Sequence, residues 1–249
     1  MANNDDLNDS EHSQLLQMRK FDDFAGDYDE IQRNSLGIFN KKRDILEVFA
    51  ECKIKEVKRV IGISPRTILD FGCGIGRSLP YIARYFSDAV VYGCDSSQES
   101  LNVARRNNPG VRYFLSNESG KYGLLDFENV FDMVIMICVM HHITPDFRVD
   151  LVKKISRTLT TGGFLVTFEH NPINPVTRHM VRQCVFDQDS ELLRLDEYKH
   201  LLLNSGMQVV QQGYTLLFPW RNSVTESIER LFSRIPLGSQ YYLIGKRGR

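Results

Sequence analysis

Residues 68 to 82 read ILDFGCGIGRSLPYI. An apolar run carries the acid Asp70, and glycines follow at positions 72, 74 and 76. Beyond them Leu79, Ile82, Ala83 and Phe86 fall on one side of a helix. A buried strand that bends through glycines into a helix commits the chain to a sheet with helices packed against it. Glycine supplies the unusual dihedrals of such a bend and lets a ligand approach the backbone closely.

The rest of the chain repeats the alternation. Helical spacing over 38 to 61 precedes Pro65, and Thr67 to Phe71 reads as a short strand. Ala89 to Cys94 is a second strand, residues 98 to 107 a helix, and Val111 to Leu115 a third strand. Phe131 to Val139 is a fourth strand, and residues 148 to 159 form an amphipathic helix closed by Gly162 and Gly163. Phe164 to Phe168 is a fifth strand, and Leu216 to Phe218 with Tyr241 to Ile244 suit the last two. Strands apolar on both faces belong in a parallel sheet covered by helices. The expected fold is α/β: a doubly wound, Rossmann-like sheet with helices on both faces. Its ligands bind outside the carboxyl ends of the strands.

Those ends carry Asp70 to Gly76 (with Cys73 in the bend), Asp95 to Ser97, Ser116 to Ser119, Cys138 to His142, and Glu169 onward. A dinucleotide fingerprint needs its third glycine at 77, where Arg77 stands. A carboxylate before the glycines is a poor neighbour for a pyrophosphate and a good one for an ammonium group. Asp95, nineteen residues after Gly76, suits the two hydroxyls of a ribose. Asn117, after the third strand, suits an adenine edge.

An acid followed by G-x-G-x-G, with a second acid on the next strand, resembles class I S-adenosylmethionine-dependent methyltransferases. The resemblance covers roughly residues 65 to 170. It implies S-adenosyl-L-methionine as cofactor and a seven-stranded sheet, mostly parallel with an antiparallel last strand. Asp70, Gly72, Gly74 and Gly76 match the motif and Asp95 the ribose acid; Asn117 stands where many members have Asp. Cys73, Ser96 and Cys138 join the expected cofactor contacts. The segments FDDFAGDYDEIQRNSLG, FEHNPINPVTRHMVRQCVFDQDSELL and RLFSRIPLGSQYYLIGKR are similar to one subgroup. Its members are often encoded among genes for surface-polysaccharide biosynthesis. In related enzymes an amino-terminal tyrosine covers the cofactor, which makes Tyr28 a further candidate.

Methyl transfer needs alignment and dryness above all, and a base only when the acceptor arrives protonated. His141 and His142 follow the fourth strand, and histidine titrates near neutrality. Adjacent residues in a turn point differently, so one of the two is expected to face the pocket. Glu169 and His170, after the fifth strand, form a second candidate pair, and His179 lies further on. Expected catalytic residues are thus His141, His142 and His170. No spacing among Glu169, His170, Asp187 and Asp189 implies a metal site, so none is expected. The insert at about 171 to 194 and the stretch at about 219 to 239 are placed to choose the acceptor. In the latter, Val224, Ile228, Leu231, Phe232 and Ile235 share a helix face, read as core packing or as an apolar wall. Arg178, Arg182 and Arg221 suit a phosphate on a nucleotide sugar or lipid-linked saccharide.

The acceptor expected is a small molecule or saccharide, lipid-linked or not, methylated at oxygen. Lysine plus arginine and aspartate plus glutamate balance at 31 each, which leaves no global field for nucleic acid or an anionic membrane. The paired prolines of DNA amino-methyltransferases after the fourth strand are absent as well. Cysteines 52, 73, 94, 138 and 184 show no C-x-x-C spacing and read as reduced thiols of a cytoplasmic protein. Residues 1 to 20 read as a disordered lead-in, and 21 to 249 as one domain with an amino-terminal helical cap. No signal peptide or membrane span is expected. Two other readings stay open: a dinucleotide-dependent oxidoreductase, and a cofactor-binding module without turnover.

Overall fold

A computed structural model describes residues 22, 45–116, 127–187, 189–218 and 222–248. Helix α1 (Ile45–Ile61) leads into β1 (Thr67–Phe71), α2 (Leu79–Tyr85), β2 (Val90–Asp95), α3 (Gln98–Asn107) and β3 (Arg112–Leu115). Then come β4 (Phe131–Ile137), a 3₁₀ turn (Met140–His142), α4 (Pro145–Thr158), β5 (Leu159–His170) and α5 (Pro175–Gln183). The chain closes with α6 (Leu195–Asn204), β6 (Met207–Thr215), α7 (Ser223–Phe232) and β7 (Gln240–Arg247). The seven strands form one sheet in the order β3-β2-β1-β4-β5-β7-β6. Strands β1 to β5 pair in parallel, and β7 runs antiparallel between β5 and β6. The doubly wound sheet and its reversed last strand are those expected.

Side-chain alternation divides β4 between two cores. Val134 and Met136 pack with Leu151, Ile155, Tyr198 and Leu202 of α4 and α6. Met133 and Ile135 pack with Ala50, Ile54, Val57 and Ile82 of α1 and α2. With both faces covered, the strand reads as FDMVIMI and has no polar side after Asp132. No helix among the described residues is long and apolar enough to cross a membrane.

Three local expectations are corrected. Helix α4 ends at Thr158, and Gly162 and Gly163 lie within β5 rather than after the helix. Pairing with β4 jumps there from Phe131–Leu159 to Met133–Phe164, so the glycines absorb a bulge. The sixth strand is Met207–Thr215, not Leu216 to Phe218. It is an edge strand rich in glutamine, and its weak apolar signal hides it.

The third correction concerns α7, whose apolar face is not core. Leu231 is 78% and Val224 64% exposed, while Thr225 and Glu229 are buried. Glu229 Oε1 accepts from Thr215 Oγ1 at 2.7 Å and from the Leu216 N–H at 2.6 Å. These bonds turn the polar side of the helix inward.

Candidate active site

The carboxyl ends of β1, β2, β4 and β5 surround a cavity of about 290 Å³. Asp70 stands in β1, and the chain then bends through Gly72, Gly74 and Gly76 at φ of 72°, 51° and 85°. The N–H groups of Gly72 and Cys73 both donate to the Cys94 carbonyl, at 2.8 and 2.9 Å. Asp95, ending the neighbouring strand, accepts from Gly74 N–H at 2.8 Å and from Ser97 N–H at 2.9 Å. Burial raises the Asp95 pKa, and these N–H groups oppose the rise.

The three glycines serve different ends. A Cβ at Gly72 would lie 2.5 Å from Val139 Cγ2, and one at Gly76 would lie 2.7 Å from Asn108 Nδ2. At Gly74 it would meet nothing within 4 Å, and Gly74 lines the cavity. Gly72 and Gly76 permit packing, whereas Gly74 keeps cavity space open. Gly76 is not part of the lining; Gly72, Cys73, Asp95, Ser96 and Cys138 are.

Asp70 is buried, and its Oδ2 has no hydrogen-bond partner among the described residues. Burial pushes its pKa up to about 7; Asp95 adds to the rise and Lys53 opposes it. Lys53, buried on α1, lines the same cavity. An orphaned buried carboxylate oxygen is costly, and an ammonium group placed beside it relieves that cost. Gln240 also keeps an unpartnered oxygen, Oε1, and its Nε2 lies 3.2 Å from Cys138 Sγ. Cys138 occupies the left-handed region at φ 57°, a strained position for a residue with a side chain.

The far wall carries the histidines. His141 and His142 both line the cavity, so the expectation that one of them points away is corrected. The tight 3₁₀ turn brings their rings together, tilted 46° to each other with centroids 4.1 Å apart. Glu169 is buried with both oxygens engaged. Oε1 accepts from the N–H groups of Val139 and Met140 at 3.0 and 2.7 Å, and Oε2 lies 2.5 Å from His141 Nδ1. It therefore positions His141 and is not free to act as a base. Asp187, from the segment after α5, reaches both histidines. Its Oδ1 lies 3.4 Å from His141 Nε2 and 3.3 Å from His142 Nε2. His170 lines the cavity beside them, its ring 5.2 Å from that of His141.

Charge separates the roles of these groups. Burial alone would lower the His141 pKa, but the carboxylates of Glu169 and Asp187 outweigh it and raise the value well above normal. Burial, then the charge of His141, lowers His142 and brings His170 down to about 4. At neutral pH the site thus holds one imidazolium between two carboxylates and two neutral imidazoles.

Other expected residues lie elsewhere. Asn171 donates to the Pro236 and Gly238 carbonyls, and Asn174 caps α5, so both serve loop structure. Arg178, His179 and Arg182 are exposed on α5, away from the cavity lining. Tyr28, Asn117 and Arg221 lie outside the described residues. Lys53 and Gln240 went unmarked in the sequence, because neither motif nor spacing ties them to the strand ends, and Asp187 was named there without a role in the cavity.

Residues 68–163 match the family model described as a methyltransferase domain. The chain is 32% identical over 117 residues to an uncharacterized methyltransferase of Synechocystis sp., covering 46% of this chain and 52% of that protein. It is 24% identical over 124 residues to a trans-aconitate 2-methyltransferase of Rhodopseudomonas palustris (50% and 46% covered). It is 27% identical over 111 residues to a tRNA N(3)-methylcytidine methyltransferase of Drosophila melanogaster (42% and 34% covered). The chain thus spans about half the length, or less, of these curated relatives. A SAM dependent methyltransferase from Archaeoglobus fulgidus superposes with a TM-score of 0.60 at 16% identity, covering 79% of this chain and 94% of that one. The fold is that of the S-adenosylmethionine-dependent methyltransferases.

Proposed function

We propose that this chain, which carries the methyltransferase fold and a matching domain over 68–163, transfers the methyl group of S-adenosylmethionine to a small acceptor. The observation that carries the proposal is the placing of Asp70 and Asp95 around one glycine bend. Asp70 offers the unpartnered Oδ2 to an ammonium group. Asp95 keeps accepting capacity for a ribose hydroxyl, since its two oxygens offer about four lone-pair sites and the N–H groups of Gly74, Ser97 and Ser96 occupy three. Gly74 leaves the space between them clear. Ser96, Cys73, Gly72 and Cys138 line the rest of the cofactor end, and Tyr28 and Asn117 complete the proposed set.

When bound, the cofactor supplies a methyl carbon on a sulfonium, whose leaving group is a neutral thioether. The protein's part is to align the acceptor and keep water out. Leu46, Phe49, Ile75, Val181 and Phe186 line the same cavity and supply apolar wall. Neutral His142 and His170 are the groups on that wall able to take a proton from an acceptor hydroxyl. His141, locked between two carboxylates, holds the wall in place.

We read the acceptor as a small molecule or saccharide methylated at oxygen, and the compartment as cytoplasm. A cavity of about 290 Å³ lies near the lower end of small-ligand clefts, which supports the first. The likeness of segments 21–37, 168–193 and 230–247 to the surface-polysaccharide subgroup supports a saccharide-type acceptor. Five free thiols support a reducing compartment.

The test is to incubate the protein with cofactor carrying a labelled methyl group and a cell extract, then fractionate the label. Label in a small-molecule or glycan fraction is expected. Label in RNA or protein would contradict the acceptor class, and label nowhere would leave a binding module without turnover.

A further inference from the structure

We propose that His141, His142 and Asp187 form a binding site for one divalent transition-metal cation on the acceptor side of the cavity. One ligand atom from each residue lies within 4.8 Å of the other two. Two separations, 3.3 and 3.4 Å, run from Asp187 Oδ1 to the Nε2 atoms of His142 and His141. Ligand bonds of about 2.0–2.1 Å in a tetrahedron place neighbouring ligand atoms about 3.3 Å apart. Two edges of the required polyhedron are therefore already present.

The surroundings are those of a built site. Glu169 holds Nδ1 of His141 at 2.5 Å, which fixes the ring and turns Nε2 toward Asp187. A carboxylate behind a ligating histidine is the usual support of a metal-bound imidazole. Glu169 is itself fixed by two backbone N–H groups. The cation takes the place of the proton that His141 Nε2 shares with Asp187.

Two imidazoles and one carboxylate favour zinc and its first-row neighbours over magnesium or calcium, which prefer all-oxygen sets. Three protein ligands leave coordination positions facing the cavity, where an oxygen-bearing acceptor can bind directly, and with the cation on His142 the role of proton acceptor passes to His170. The site would thus select acceptors that present an oxygen donor to the metal. This deepens the methyltransferase reading, but the binding itself does not depend on it.

The test uses metal alone, without cofactor or acceptor. The full-length protein, stripped with chelator, is titrated with zinc in a calorimeter and with cobalt(II) in a spectrophotometer. One cation per chain is expected, with visible cobalt bands of a low-coordinate imidazole–carboxylate site and a rise in Tm on adding zinc. Asp187→Asn and His142→Gln should each weaken binding at least tenfold, and Glu169→Gln should weaken it less. No binding at millimolar metal, or binding unchanged in Asp187→Asn and His142→Gln, would overturn the proposal. The wild-type titration decides even if a variant fails to fold. Cofactor binding, measured separately, reports on the methyltransferase reading without reference to metal.

Discussion

The Gly74 N–H donates to Asp95 Oδ2 at 2.8 Å, so the bend after β1 is anchored by the acid that ends β2. That acid therefore has a structural duty as well as the proposed ribose contact. Asp95→Ala should lower unfolding free energy by about 2 kcal/mol, as a lost charged acceptor for backbone N–H groups. It should also weaken S-adenosylmethionine binding at least tenfold. Asp95→Asn should fall in between, because an amide has one accepting atom. Denaturant unfolding beside calorimetry separates the two losses.

Gly74 and Gly72 should respond differently to a side chain. At Gly74 a Cβ meets nothing within 4 Å, so Gly74→Val pays only the strain of its positive φ and keeps its fold. Its cofactor binding should vanish, since the valine fills cavity space. At Gly72 the same Cβ strikes Val139, so Gly72→Ala should lose stability first. Folded Gly74→Val protein with normal affinity would show that the cofactor lies elsewhere.

Asp70 sets a pH dependence. Its pKa is about 7 in the fold, against an ordinary 3.8. The folded value is raised, so its contribution is fully present below 3.8 and lost as pH rises through about 7. The gap corresponds to roughly 4 kcal/mol. A cofactor ammonium favours the ionised form, so affinity should strengthen as pH climbs toward 7 and level off above it. Binding at pH 6 should release a proton, seen as a buffer-dependent enthalpy. Asp70→Asn should abolish both effects and be more stable than wild type at pH 8.

The Glu169–His141–Asp187 triad sets another. Glu169 and Asp187 are lowered in the fold, so their contributions are present above about pH 4.5 and lost as pH falls below it. His141 is raised, so its contribution is whole below about pH 6.5 and lost as pH climbs through its higher folded value. Burial lowers His170 from 6.5 to about 4, which costs stability progressively as pH falls between those values. Glu169→Gln should cost about 3 kcal/mol at pH 6, as the breaking of a buried pair, and less at high pH, where the imidazolium is gone. Unfolding curves at the two pH values check this.

Helix α7 offers a contrast between its faces. Glu229→Ala should cost about 1–3 kcal/mol by leaving the Leu216 N–H without its acceptor. Leu231→Ser should change stability by less than about 0.5 kcal/mol, because that side chain is in solvent. The reverse ranking would mean that the apolar face is packed.

What the sequence made legible was local. The bend from Asp70 to Gly76 and the following helix are a contiguous signal, and β4 is apolar from Met133 onward because both its faces are covered there. Contacts made by long-range folding were not legible. Asp187 is 46 residues from His141 and meets it only because α5 and the turn after it fold back over the cavity. On α7, periodicity marked an apolar face but could not say which face packs. Glu229 decides it through two hydrogen bonds to the end of β6.

The most direct measurement is calorimetric titration of the purified protein with S-adenosylmethionine and, separately, with NADH. One sulfonium cofactor per chain, no response to NADH, and loss of the signal in Asp95→Ala are expected. Tight NADH binding with no response to S-adenosylmethionine would contradict the account.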